Sequence, residues 1–449
     1  MNKPVNAHSA RGALQRRGFL TAALGGAAWP LAQGPAAAQT PVSAPTTTKA
    51  RIVIAGGGAA GLTAASRLSA ALQGATIIVI DPRKEHFYQP GFTLVAAGVK
   101  AQDYVVSQTG DHLPRGVEWI AEGVAEIDPD GKQVVTSSGK KVAYDYLIVA
   151  TGLELNYGGI EGMDTRLIGE NGLGSIYASP AAASATWKVL SKFADEGGVG
   201  LFGRPASEMK CAGAPLKYTF ISDDHLRRRG NRVKAELHYM AHNKALFGVP
   251  IVSERVRMLF EDRGVNVHRD HVLVAIDPGQ RLATYKTPTG MQQLKYDFIN
   301  VVPPMRAPEA VRNSPLPWKD GPWAADGWIE VDKGTLRHMR YPQVFGVGDV
   351  AGVPKGKTAA SVKWQVPVAV SHLLADITGK ASQEVYNGYT SCPLITKLGR
   401  AMLIEFDYKD NLVMSFPGMI APLEELWISW VMKTMALKPT YLSMLRGRA

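Results

Sequence analysis

Two cysteines, Cys211 and Cys392, are all that this chain of 449 residues carries. That excludes a disulfide-stapled scaffold and a paired Cys-x-x-Cys metal site, each of which needs more thiols. Beyond the N-terminal leader no stretch approaches about eighteen uninterrupted apolar residues, so no spanning helix is expected. There is no Walker loop, no Gly-x-Ser-x-Gly elbow and no His-Glu-x-x-His helix, which sets aside P-loop, α/β-hydrolase and zinc-protease chemistry. His238 and His242 fall on an expected strand, and His268 and His271 flank Asp270; all four read as solvated or satisfied. The formal charge of +11 drops to about +7 without the leader. No nucleic-acid motif accompanies it, and such a surface suits an anionic membrane or substrate as well as plain solvation.

What is present begins with that leader. Arg16-Arg17-Gly18-Phe19-Leu20 is a twin-arginine pattern, followed by an Ala/Leu/Gly segment and Ala36-Ala37-Ala38, a plausible cleavage site. Residues 1–38 are therefore expected to be an export signal and the mature protein periplasmic. In that oxidising compartment the two cysteines form a candidate disulfide. Apolar content of 46% over this length suits two or three domains with sizeable cores.

The stretch Arg51 to Asp81 reads as a complete βαβ unit. Ile52-Val53-Ile54 suits a buried parallel strand, and Gly56, Gly58 and Gly61 follow in Gly-x-Gly-x-x-Gly spacing before a helix expected from Leu62 to about Leu72. The first glycine permits the turn, the second lets backbone N–H groups approach a pyrophosphate, and the third lets helix and strand pack closely. Thr76 to Ile80 gives a second strand ending in Asp81, about twenty residues after Gly61, placed to accept hydrogen bonds from a ribose diol. A bound dinucleotide is expected, and this stretch leaves FAD and NAD both open.

Further on, Tyr88, Pro90 and Phe92 stand in a loop suited to pack beside a flavin ring, and residues 117–140 read as a small β-meander. A strand from Tyr144 ends in Thr151-Gly152, a turn that lets backbone pass close to a cofactor. After a helix over 181–194, Val199 to Phe202 opens a second α/β unit, but no glycine loop follows and the next strand, expected over 233–240, ends in Ala241-His242 without an acid. Nucleotide binding is not expected there. Cys211 stands instead just before a helix start containing Pro215, beside Lys210, where dipole and cation favour a thiolate. Gly348-Asp349 closes a later strand, and Lys357-Thr358-Ala359-Ala360 leads into a helix from Ser361 whose N-terminus faces an electron-rich group. The tail from Leu423 to Leu445, dense in Trp, Met and Leu with Lys433 and Lys438 among them, resembles an interfacial amphipathic anchor, with a dimer interface or ordinary core helix as the alternative.

With those residues in view, the chain resembles the two-dinucleotide-binding-domain flavoproteins and, within them, the sulfide:quinone oxidoreductases, on the branch that includes the mitochondrial enzyme. The resemblance runs from about residue 50 to the C-terminus and rests most on His86-Phe87-Tyr88-Gln89-Pro90, Lys210-Cys211-Ala212-Gly213-Ala214-Pro215, Phe345-Gly346-Val347-Gly348-Asp349 and Gly388-Tyr389-Thr390-Ser391-Cys392-Pro393. It implies an α/β fold of two Rossmann-like units: an FAD-binding part over 50–165 and 306–380, a degenerate NADH-like part over 166–305, and a quinone- and membrane-interacting region over 381–449. It also implies FAD held by Gly56, Gly58, Gly61, Asp81, Thr151, Gly152, Gly348, Asp349 and Lys357, and a redox pair, Cys211 and Cys392, opened by hydrosulfide and passing two electrons through FAD to quinone. The third cysteine of some relatives is absent. A sulfur acceptor and self-association stay open; so do a flavocytochrome-type sulfide dehydrogenase handing electrons to a cytochrome c, an NADH:quinone oxidoreductase, and a non-catalytic flavin-binding subunit with a structural disulfide.

Overall fold

The computed structural model describes residues 44–448, so the twin-arginine leader expected over 1–38 lies outside the described residues. The βαβ unit forms as β1 (Arg51–Ala55), α1 (Ala59–Ala71) and β2 (Thr76–Ile80), the strands parallel and in register from Arg51 opposite Thr76. Ile52, Val53 and Ile54 have no exposed surface, as expected of a strand covered on both faces. The helix starts three residues earlier than its apolar pattern indicates, because Gly58 serves as its N-cap.

The parallel sheet continues with β3 (Glu118–Ile120) beside β2 and β4 (Tyr146–Val149) beside β1. Glu118–Ile120 therefore does not belong to the small meander expected over 117–140. That meander consists of Val124–Asp128, Gln133–Thr136 and Lys141–Ala143, and periodicity alone could not separate a short edge strand of one sheet from the first strand of the next.

A second parallel sheet is built from β5 (Leu173–Gly174), β6 (Gly198–Gly203), β7 (Ala235–Met240), β8 (Val265–His268) and β9 (Phe298–Asn300) in the order β5-β9-β6-β7-β8. Helix α2 (Pro180–Glu196) leads into it, capped by Ser179, and α3 (Ala214–Arg228) follows the loop after β6. The chain then returns to the first sheet through β10 (Val344–Gly346), completing the order β10-β4-β1-β2-β3. Helix α4 (Ala359–Thr378), capped by Thr358, packs against α1, and a two-stranded ribbon of β11 (Thr390–Lys397) and β12 (Arg400–Phe406) lies on α3.

The C-terminal segment is a short helix Trp427–Val431, a π-helical turn Met432–Ala436 and α5 (Leu437–Leu445). One side, with Trp427, Ile428 and Met435, is exposed; the other buries Lys433, Tyr441, Met444 and Leu445. Its end is tied to the dinucleotide helix by Ser66 Oγ, which donates to the Leu445 carbonyl at 2.6 Å. Among the described residues no helix is long and apolar enough to cross a membrane.

Candidate active site

A cavity of about 210 Å³ runs from the first glycine turn to both cysteines. Gly57, Gly58, Ala59 and Ala60 form one end, where α1 begins without a side-chain cap and without an acidic residue in its first turn. Those free N–H groups and the helix dipole make a site for phosphate. Gly56 and Gly61 stand behind this wall. Gly56 has φ +110°, and a Cβ on Gly61 would lie 1.8 Å from the Gly56 carbonyl oxygen, so neither position accepts a side chain.

Thr151, Gly152, Gly348, Asp349 and Lys357 line the same cavity. The Thr151 and Thr93 hydroxyls on its wall are buried without a hydrogen-bond partner, as surfaces shaped for a ligand leave them. Lys357 donates to the carbonyls of Asp349 and Ala351 at 2.7 and 2.9 Å and sits over the Trp328 ring; burial pulls its pKa down to about 8, against the pull of the Asp349 carboxylate. Burial also raises the Asp349 carboxyl, which Lys210 and Lys357 oppose. Glycine turn, helix N-terminus and orphaned hydroxyls together fit an extended dinucleotide.

Asp81, expected to meet a ribose diol, does not itself line the cavity. Its carboxylate lies behind the cavity wall, accepting the Gly57 N–H at 2.7 Å and the Arg83 guanidinium at 2.9 and 3.1 Å. Arg83 lines the cavity in its place, because two residues of chain let the guanidinium fold back over the acid. Tyr88 likewise packs away from the cavity, against Tyr104 and Tyr441, while Pro90 and Phe92 reach it.

At the far end the loop after β6 meets strand β11. Cys211 adopts the left-handed backbone region, φ 49°, its N–H donating to the Lys357 carbonyl, and Tyr177 donates to the Cys211 carbonyl at 3.1 Å. Cys392 comes up against this turn; a Cβ on Gly213 would lie 2.3 Å from its sulfur, so only glycine permits the approach. The candidate disulfide is not formed here: the two are free thiols in hydrogen-bonding contact. That hydrogen bond from Cys392 holds Cys211 well below the usual thiol range, against burial and with help from Lys217 and Lys433; Cys392 is pushed well above it.

The cation on Cys211 is Lys217, whose Nζ lies 3.5 Å from Sγ, one turn into α3. Lys210, expected in that role, donates instead to Gln89 Oε1 at 2.7 Å. A second lysine was not foreseen at all. Lys433, which reads as a surface charge of the tail, is buried in the π-helical turn, donates to the Pro90 carbonyl at 2.6 Å and faces both sulfurs. Burial, then repulsion from Lys217, pulls its pKa down to about 7. Its one sequence signal is isolation among Trp, Val and Met. Tyr441 of α5 closes the wall, 2.7 Å from His86 Nε2.

Three comparisons bear on this geometry. Residues 50–188 match the pyridine nucleotide-disulphide oxidoreductase family. The chain is 37% identical over 368 residues, 82% of its length and 80% of the relative's, to a mitochondrial sulfide:quinone oxidoreductase of Dictyostelium discoideum, and 36% identical with the same coverage to that of Mus musculus. The chain belongs to the sulfide:quinone oxidoreductase family. In fold it is similar to the solved sulfide:quinone oxidoreductase of Aquifex aeolicus, with a TM-score of 0.72 at 23% identity, covering 89% of this chain and 92% of that one. Membership makes this an α/β flavoprotein of the oxidoreductase class, and the parallel sheets that carry its glycine turn and its cysteine loop are those of the family fold.

Proposed function

We propose that this protein oxidises sulfide to sulfane sulfur at Cys211 and Cys392 and passes the electrons through FAD to quinone. The observation that carries the reading is the meeting of two sulfurs, remote in sequence, between two buried lysines at one end of a cavity whose other end is a glycine turn. FAD held along that cavity supplies a two-electron acceptor for the thiol pair and a donor for quinone.

The chain's own residues set the direction of sulfur chemistry. In the oxidised pair, hydrosulfide attacks Cys392 Sγ, the S–S bond breaks, Cys392 becomes a persulfide and Cys211 leaves as thiolate. Cys211 is the better leaving group because Lys217 and Lys433 stabilise its charge. Sulfide offers no carbon skeleton to grip, so covalent capture replaces a shaped pocket. The persulfide sulfur then passes to a nucleophilic acceptor, leaving a Cys392 thiol; loss of two electrons from the pair restores the disulfide.

Exposed Trp427, Ile428, Met435, Met414 and Met419 support docking of the C-terminal region on a membrane surface, where quinone is dissolved. We assign the FAD-binding part to 50–165 and 306–380, the nucleotide-free part to 166–305 and the quinone-facing region to 381–449. The Arg16-Arg17 leader supports export and a site of action on the periplasmic face of the inner membrane, whereas the two relatives named above are mitochondrial. Cell fractionation of the tagged protein tests that placement; recovery in the cytoplasm overturns it.

Anaerobic titration of the purified protein with sulfide, then with quinone or cytochrome c, tests the reaction by flavin absorbance. Bleaching by sulfide with recovery on quinone is expected, and Cys211→Ser should keep the flavin but lose the bleaching. Recovery on cytochrome c alone assigns the flavocytochrome-type reading instead, and bleaching by NADH assigns the NADH:quinone one.

A further inference from the structure

The second parallel sheet ends in a cavity that the sulfur chemistry does not use. It has a volume of about 30 Å³ and opens at the carboxyl ends of the paired strands β6 and β9, where the strand order reverses: β7 and β8 lie to one side of β6, β9 and β5 to the other. The crevice outside the carboxyl ends of the strands at such a reversal of order is where open α/β sheets take their ligands. Here it is formed by Gly203 and Arg204 after β6, Met240 at the end of β7 and Asn300 at the end of β9.

Two polar side chains in it lack partners. Asn300 is 3% exposed, and neither Nδ2 nor Oδ1 has a hydrogen bond. Arg204 Nε is buried and unpaired, and among the described residues no carboxylate pairs with its guanidinium. Buried amides and guanidinium groups in folded proteins nearly always have partners, so this pair is shaped for something else. His271 on the rim is already committed, to the Arg269 carbonyl at 2.7 Å and Gln292 Oε1 at 3.0 Å. Apart from Tyr285, the rest of the wall is apolar side chain or backbone, including Phe202, Val272, Ile299 and Val302.

We propose that this crevice binds the head of a small organic anion carrying a hydroxyl hydrogen beside its charge, of the short 2-hydroxycarboxylate class. Arg204 can only donate and brings positive charge, so it takes the carboxylate. Asn300 offers a donor and an acceptor together, so it takes the remaining carboxylate lone pair and the hydroxyl hydrogen. The volume admits roughly two water-sized groups, enough for the carboxylate oxygen and the hydroxyl that reach Arg204 and Asn300, with the carbon atoms of the acid lying towards the mouth. Its alkyl end meets the apolar wall. A pyridine nucleotide is the wrong occupant: no glycine turn follows β6, where Arg204-Pro205 stands instead, and β7 ends in Ala241-His242 with no acid for a ribose. The inference does not depend on the sulfide reading, because none of these residues lines the cavity that holds the cysteines.

Isothermal titration of the full flavin-loaded protein with lactate, uncharged lactamide and inorganic phosphate tests it. Lactate is expected to bind one per chain and lactamide at least tenfold more weakly; Arg204→Gln and Asn300→Leu should each weaken lactate roughly ten- to hundredfold, as expected for loss of a hydrogen bond to charge. Arg204 is half-buried and its replacement leaves the core untouched, so that arm stands even if Asn300→Leu fails to fold. No heat with lactate, which means that water alone fills the crevice, overturns the proposal; so does equal lactate affinity in Arg204→Gln, or phosphate binding more tightly than lactate.

Discussion

Replacing Lys217 by methionine removes the cation that sits 3.5 Å from Cys211 Sγ while keeping the length and packing of the side chain. Two unit charges at that distance attract by about 5 kcal/mol at an effective dielectric of about 20. Lys433 and the Cys392 hydrogen bond remain in the variant, and they take up part of the loss. If one quarter to one half survives as net destabilisation of the thiolate, the thiolate fraction falls roughly eight- to sixtyfold, at about 1.4 kcal/mol per factor of ten. The assay is the rate of iodoacetamide alkylation of the reduced protein, followed at mildly acidic pH where the thiolate fraction still responds, with the labelled cysteine identified by peptide mapping. Cys211 should react first in the parent protein and slow by that factor in Lys217→Met, and Lys217→Arg should restore most of the rate. A Lys217→Met rate within about twofold of the parent would refute the assignment of Lys217 as the counter-ion, because an effective dielectric even twice as high predicts more.

Three further outcomes rest on the same structure. His338 is buried, its Nε2 donating to the Leu316 carbonyl and its Nδ1 accepting from Arg340 and Tyr341 N–H; burial holds its pKa down at about 4. The unfolded chain binds that proton at about 6.5, so stability is full above that pH and is lost as pH falls towards 4, by up to about 3 kcal/mol; His338→Gln should show a shallower acid decline of the denaturant midpoint, and an identical decline contradicts this. Gly61→Ala should purify without flavin colour, since its Cβ meets the Gly56 carbonyl; full visible absorbance in the variant would count against the glycine turn as the cofactor cradle. Deleting residues 427–449 removes exposed Trp427, Ile428 and Met435 together with the Lys433 and Tyr441 wall, and should abolish co-sedimentation with liposomes; persistent co-sedimentation places the membrane contact elsewhere.

Much of the fold is local and was therefore legible. A buried strand, three glycines at fixed spacing, a helix and a second strand are all determined by neighbours within thirty or so residues, and β1, α1 and β2 form where that pattern puts them. The missing glycine loop after β6 was equally plain, and the structure puts a loop carrying Cys211 in its place. Short strands were less legible: Glu118–Ile120 joins the parallel sheet because Ile78, Val79 and Ile80 present it an open edge, which no property of three residues announces.

The sequence by itself determined that a dinucleotide turn exists, that a cysteine follows the second unit's first strand, and that another lies in a Gly-Tyr-Thr-Ser-Cys-Pro stretch. Only the tertiary structure decided what surrounds them. It brought Cys392 across Gly213 to Cys211, chose Lys217 over Lys210, and buried Lys433 of the tail beside both sulfurs. It gave Asp81 to Arg83 and left Asn300 without a partner. The physical reason is range: spacing along a chain fixes helix faces and turns, whereas the charge state of a thiol or lysine depends on desolvation and on ions within a few ångströms, and which ions those are, Lys217 one turn into α3 or Lys433 of the remote tail, is settled only when the elements pack.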